Sequence, residues 1–299
     1  MTEARAGRGT RPAPAGERAP TVTVLGPQRR PTVAPLPAGM VAATVTAGWR
    51  EREADDAELN SLLGGRTANL RLHARWQDVL EADRDLATAE VNHRAVLEEL
   101  QDLYALRVEQ HERAVEAIRR SATRPRTKNA ALADAEETLR LLDAQHLART
   151  AEARADFDAA WRPGDREAVL RHRAEVGALL RDAGVLVLAG GHVGVLLHVL
   201  RLFAVTPPGE VLAWSAGAMV LTDRVVLFTD GRAEAYAAGL GLLGGTVLLP
   251  HARRRLPMDD PVRLGALARR FAPATCVVLD DGVKGLRQGR VVRPDGRLG

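Results

Sequence analysis

From Trp76 to Ala160 the chain has no glycine and a single proline, Pro125, within "SATRPRTKNA". Helix formers run on either side of it, and a stretch of this length without breakers leaves few options besides long helices. Val96, Leu100 and Leu103 form one apolar seam, with Leu97 and Tyr104 beside it. Leu132, Leu139, Leu142 and Leu147 continue the pattern beyond the proline. The spacing predicts two long antiparallel helices joined near Pro125. Arms of about 35–45 residues would reach about 50–70 Å at 1.5 Å per residue. Such a hairpin packs on a partner, on a second copy in a homodimer, or along its own domain, or it stands solvated.

The flanking sequence has a different texture. Residues 1–20 are rich in Arg, Pro, Gly and Ala and read as a disordered tail. Within 21–75, "TVTVLG" and "AATVTAG" read as strands ending in glycine, "ADDAELNSLLGG" as a short helix, and "ANLRLHA" as a third strand. From 161 to 299 the strand–helix alternation returns. "RPGD" is a turn with Asp165 as an N-cap, followed by the amphipathic helix "REAVLRHRAEVGALLRDAG". "VLVLAGG", "EVLAWS", "RVVLFTD", "GTVLLPH" and "ATCVVLDDG" are strands, "HVGVLLHVLRLFAV" and "DDPVRLGALARRFA" helices, and "GLRQGRVVRPDGR" a hairpin. Continuous apolar strands between helices imply an α/β fold whose sheet is mostly parallel, doubly wound and covered on both faces.

Composition narrows the function classes. Apolar residues make up 46% and charged residues 27%, as in ordinary globular domains. Aromatics are only 3%, so the net charge of +4 lacks the stacking platforms that would point to nucleic acid. No run of about 18 apolar residues could span a membrane, and the N-terminus has no apolar core of a secretory signal. The single cysteine, Cys276, cannot form an internal disulfide. A reducing, cytoplasmic setting is expected. No histidine, cysteine or carboxylate cluster has metal-ligand spacing. "GGHVG" is not a dinucleotide fingerprint either, so neither metal nor cofactor is expected.

In such folds ligands sit at the carboxyl ends of the strands. Gly190, Gly191 and His192 follow "VLVLA", Ser215 follows "VLAW", Asp230 follows "RVVLFT", His251 follows "GTVLLP", and Asp280 with Asp281 follow "ATCVVL". A neutral serine needs an adjacent base, and histidine suits that role near neutral pH. The histidine needs a carboxylate to fix its tautomer, and a developing oxyanion needs N–H donors. Ala216, following the serine, supplies one donor, and a Gly190–Gly191 turn supplies another. The rival reading of Ser215 is a serine that only caps the helix after it.

The motifs "AGGH", "WSAGAM", an aspartate fifteen residues past the serine, "GLGLL…VLLPH" and "LDDG" resemble the peptidase E (aspartyl dipeptidase) and cyanophycinase family of serine peptidases. The resemblance covers about residues 165–290 by motif and 21–75 by texture. It implies a class I glutamine amidotransferase-like fold, with residues 76–160 as an inserted hairpin. It also implies Ser215 as nucleophile, His251 as base, Asp230 or Asp281 as the acid, and Gly190 and Gly191 at the oxyanion hole. His192 departs from the family pattern and would narrow the pocket. Arg253 and Arg255, in "HARRRLP", suit a substrate carboxylate. The expected activity is hydrolysis of an amide bond in a small peptide, including peptides with acidic residues. The alternative is a non-catalytic amidotransferase-like module whose hairpin mediates assembly.

Overall fold

The computed structural model describes residues 20–28, 36–37, 39–229 and 231–299, so the tail expected at 1–20 lies outside the described residues apart from Pro20. The chain opens with β1 (Thr21–Leu25), β2 (Ala42–Val45), α1 (Ala57–Leu62), β3 (Thr67–Asn69) and α2 (Leu72–Ala82). The hairpin follows as α3 (Arg84–Arg120) and α4 (Pro125–Trp161). Next come α5 (Glu167–Arg181), β4 (Val185–Leu188), α6 (Val193–Leu202), β5 (Glu210–Trp214) and the single turn α7 (Ala216–Met219). Then β6 (Arg224–Thr229), β7 (Arg232–Ala238), β8 (Thr246–Pro250), α8 (Ala252–Arg255), α9 (Pro261–Phe271), β9 (Thr275–Leu279) and β10 (Arg290–Val292) complete it. No described helix is long and apolar enough to cross a membrane.

The first three strands and two from the second half form one parallel sheet, in the order β1-β5-β4-β2-β3. Its central strand, β4, is buried along its whole length. Leu186 and Leu188 join the core that includes α5 and α6, whereas Val185 and Val187 join Leu59 and Leu63 on the opposite face. That split is the two-residue period of a strand with both faces covered. The strand ends were expected along one sheet, but the pairing divides them. β8 and β9 run parallel in a second sheet edged by antiparallel β10, and β6 pairs with β7 as a separate hairpin. The carboxyl ends of the two parallel sheets still meet. The N–H of Gly26, just past β1, donates to the carbonyl of Val283, just past β9 (2.8 Å).

Several expectations fail for identifiable reasons. The strand expected through "ANLRLHA" stops at Asn69, and α2 begins at Leu72. Buried Glu53 causes this, because its carboxylate accepts the N–H groups of His73 (3.0 Å) and Ala74 (2.9 Å) in the first turn of α2. The hairpin does not begin at Trp76. Asp83 breaks the helix with an extended backbone, then caps α3 by accepting the Leu86 N–H at 2.9 Å. Asp165 is no N-cap: it ends a short 3₁₀ turn, and Arg166 takes the position without a side-chain bond. The strand β7, "RAEAYAA", was missed because alanines alternate there with larger residues and no turn signal stood out.

The hairpin packs along its own domain. Each arm has 37 residues, about 55 Å of helix. The inward face of α3 is Leu86, Ala89, Glu90, Tyr104 and Val108, so of the expected seam Val96 and Leu103 point outward and only Leu100 is half-buried at its edge. Val96 is 44% exposed and Leu103 61%. A polar network docks the hairpin beside a small apolar cluster of Tyr104, Val108, Leu142 and Ala235. Buried Arg270 on α9 donates to both carboxylate oxygens of Asp143 on α4 (2.7 and 2.8 Å) and to the Tyr104 hydroxyl on α3 (2.9 Å). Tyr104 in turn donates to Asp143 (2.7 Å) and accepts the N–H of Ala235 on β7 (3.0 Å). At the rim Arg269 grips Glu136 with two nitrogens.

Candidate active site

Parallel pairing of β4 with β5, in register at Leu188 and Ala213, sets the turns after the two strands side by side. Ser215 ends β5 with φ 49° and ψ −125°, a region L-residues rarely occupy and one that costs about 1–3 kcal/mol. The strain persists because the surroundings leave no alternative. A Cβ on Gly217 would lie 2.3 Å from the Leu188 carbonyl oxygen, and one on Gly190 would lie 2.9 Å from the Ser215 Cβ. Two glycine-backed turns therefore close on each other around the serine. Ser215 occupies the N-cap position of α7, yet its side chain makes no capping bond. Its Oγ lies instead 3.2 Å from Nε2 of His251.

His251 reaches the serine from the second sheet. It follows β8 in a left-handed conformation, φ 59° and ψ 29°, which turns the chain sharply into α8. α7 packs directly against β8 and carries the serine's turn towards that strand. Asp230 lies outside the described residues. Asp281 stands exposed on the turn after β9, and among the described residues it makes no bond to His251. Its neighbour Asp280 is largely buried and is engaged by Arg290 and by Arg253, whose Nε is 3.2 Å away.

The expected substrate contacts are rearranged. Arg253 pairs with Asp280 while its own side chain stays exposed, and Arg255 is exposed on α8. His192 is the N-cap of α6, and its Nδ1 accepts the Val195 N–H at 3.2 Å. That explains the imidazole after the glycine pair: it holds the helix start. Partial burial, reinforced by the charge of Arg50, keeps its pKa below the ordinary histidine value. Arg50 and Gly48 were missed by sequence reasoning. The Gly48 carbonyl accepts the His192 N–H at 2.8 Å, so the turn after β2 is the third wall of the site. Arg50 has the same backbone conformation as Ser215, φ 57° and ψ −121°. The glycine ending "AATVTAG" was the available signal, since it ends the strand next to β4.

The N–H of Ala216 lies in a first helical turn, where no intrahelical acceptor exists. The N–H groups of Gly190 and Gly191 have no acceptor among the described residues, although those of Ala189 and His192 on either side are bonded. α7 is too short for a macrodipole to matter, so Ala216 can act only through its own N–H. Cys276 is buried in β9, which pushes its thiol pKa up to about 12 and keeps it a neutral thiol. Among the described residues, no group of three or more His, Cys, Asp or Glu could hold a metal ion. No family model matches the sequence, and no curated protein is significantly similar to it.

Proposed function

We propose that the protein is a serine hydrolase of peptidase type, cleaving an amide bond in a small peptide through an acyl-enzyme. The observation that carries this reading is the 3.2 Å contact between Ser215 Oγ and His251 Nε2 at a strained elbow. In this mechanism Nε2 takes the hydroxyl proton as Oγ attacks the carbonyl carbon. The tetrahedral oxyanion is held by the N–H groups of Ala216 and Gly191, with Gly190 beside them. His251 then protonates the leaving amine, and a water that it deprotonates releases the acid and restores the serine. Asp230 is the preferred orienting carboxylate, because Asp281 is exposed and makes no bond to His251 among the described residues.

The resemblance to peptidase E and cyanophycinase supplies the class I glutamine amidotransferase-like fold assignment and the preference for peptides bearing acidic residues. The parallel sheet and the turns at Ser215 and Gly190 agree with that assignment. The alternative, a non-catalytic module of the same fold, expects a histidine turned away from the serine, and the Ser215–His251 contact weighs against it. The test is covalent labelling with a fluorophosphonate probe. Ser215→Ala and His251→Ala should fold normally and label at background level, with peptide hydrolysis reduced by about 10⁴-fold or more. Equal labelling of Ser215→Ala and the natural chain would overturn the reading.

A further inference from the structure

At the root of the hairpin, where α3 and α4 meet α5 and α6, lies a chamber of about 360 Å³. Arg154, Arg162, Arg173, Arg201, His93 and His198 line it, opposed in the lining by two carboxylates, Asp158 and Asp165, while Glu90 lies 3.4 Å behind His198. The state of these arginines differs from that in the larger groove, about 570 Å³, between the hairpin and α9. There Arg120 pairs with Glu116, Arg263 with Asp260, Arg269 with Glu136 and Arg270 with Asp143. In the chamber, among the described residues, Arg173 is bonded only to the carbonyls of Leu202 and Gly164, and Arg201 only to those of Ala238 and Gly239. Arg154 has no hydrogen-bonding or ion-pairing partner among the described residues. Arg162 alone approaches a carboxylate, Asp165 at 3.8 Å, and both of those side chains are exposed.

Clustered guanidinium groups that outnumber their counter-charges repel one another, and withdrawing them from water adds to the cost. Burial lowers the pKa of both Arg154 and Arg201, and the charge of Arg154 lowers that of Arg201 further, while the nearby Asp158 only partly opposes the shift in each. His93 lies flat against Phe157, with ring centroids 4.4 Å apart, and is itself shifted towards its neutral form by burial and by Arg154. A fold that gathers unpaired forks around a recess is complementary to an anion able to accept several N–H donors at once. A single carboxylate would leave the excess positive charge only partly balanced, whereas a phosphate dianion matches it. The volume of about 360 Å³ holds about a dozen waters at ~30 Å³ each, enough for a phosphate and a small group attached to it.

We propose that this chamber is a binding site for a small phosphate-bearing ligand, held chiefly by Arg154 and Arg201. The site is separate from the Ser215–His251 pair and does not depend on its activity. The test is titration of the full chain with inorganic phosphate, read by calorimetry and by thermal unfolding, with succinate as a parallel arm. Phosphate should raise the Tm of the natural chain, and Arg154→Gln should weaken phosphate binding by about tenfold or more. Without ligand, Arg154→Gln should be at least as stable as the natural chain, because it removes a largely buried cation that no hydrogen bond or ion pair among the described residues compensates. Arg120→Gln, which removes an exposed charge in the other groove, should bind phosphate normally. If Arg154→Gln loses its helical circular-dichroism signal, Arg201→Gln carries the same test. Absence of a phosphate response, equal responses in the natural chain and both chamber variants, or a succinate response as strong as that to phosphate would each overturn the proposal.

Discussion

Ser215 and Arg270 are both held in costly states, but by opposite means. Around the serine the neighbours are glycines, and the backbone of one turn presses against that of the next with no room for a side chain. Around Arg270 the space is filled by side chains, and a buried guanidinium is tolerated because Asp143, Tyr104 and the Ala233 carbonyl take up its N–H groups. The first arrangement stores strain in one residue and keeps its hydroxyl free of structural bonds. The second consumes the donors of Arg270 in holding a 37-residue helix to the body. One region is built to present a group, the other to immobilise one.

Breaking the dock should have the larger effect. Arg270→Met leaves the Asp143 carboxylate buried without its cation, and such truncations typically cost about 3–5 kcal/mol. The midpoint of urea unfolding should fall accordingly, with the hairpin amides losing hydrogen-exchange protection before the five-stranded sheet. Replacing both partners, as Arg270→Met with Asp143→Leu, should recover most of the loss, because neither variant side chain needs a counter-charge. If the double variant is no more stable than Arg270→Met, the network's value lies in geometry that apolar packing cannot replace.

The elbow breaks differently. Gly217→Ala introduces a Cβ 2.3 Å from the Leu188 carbonyl oxygen, so β4 and α7 must separate. Overpacking of this kind costs about 1–3 kcal/mol, and fluorophosphonate labelling should fall with it while the hairpin stays docked. Gly177→Ala is the matched control. It lies within α5, where the new Cβ meets only the end of the Arg181 side chain at 3.7 Å. That change should stabilise the protein by about 0.5–1 kcal/mol through helix propensity. A loss of stability at Gly177 equal to that at Gly217 would mean that glycine replacement in general, and not the closed elbow, sets the effect.

The same contrast explains what was legible in the sequence. The elbow could be read because its requirements are local: an apolar strand, a serine, then Ala216, Gly217 and Ala218, with a second glycine turn after a neighbouring strand. The dock could not, since Arg270 and Asp143 are 127 positions apart and nothing in "LARRFA" distinguishes the buried arginine from its half-exposed neighbour Arg269. For the same reason the apolar seam of α3 was assigned to the wrong face. Counting Leu and Val favoured Val96, Leu100 and Leu103, whereas the buried face includes a tyrosine and a glutamate, Glu90. The division into three sheets was hidden as well, because strand pairing depends on contacts such as Gly26 with Val283 that no local pattern encodes.

The smallest expected effect is the dock's own share of an acid sensitivity to which His93 and His172, also shifted down chiefly by burial, contribute elsewhere. His146 on α4 is buried, stacks on Tyr104 with ring centroids 4.2 Å apart, and is held below its ordinary pKa of 6.5 chiefly by burial. Asp143 and a bond to the Tyr236 backbone oppose that shift, and Arg149 adds to it. Above about pH 6.5 the imidazole is neutral in both folded and unfolded chains and contributes no slope. As the pH falls through that value the unfolded chain takes up the proton first, so stability declines by at most about 1.4 kcal/mol per pH unit for this group. Urea midpoints at pH 7.5 and 5.5 should therefore differ in the natural chain, and by less in His146→Gln, which does not titrate. His192 is shifted down as well but stands more exposed than His146, so His192→Gln should reduce the pH dependence of unfolding by less. An equal reduction in both variants would place the acid sensitivity outside the dock and remove the contrast between the two regions.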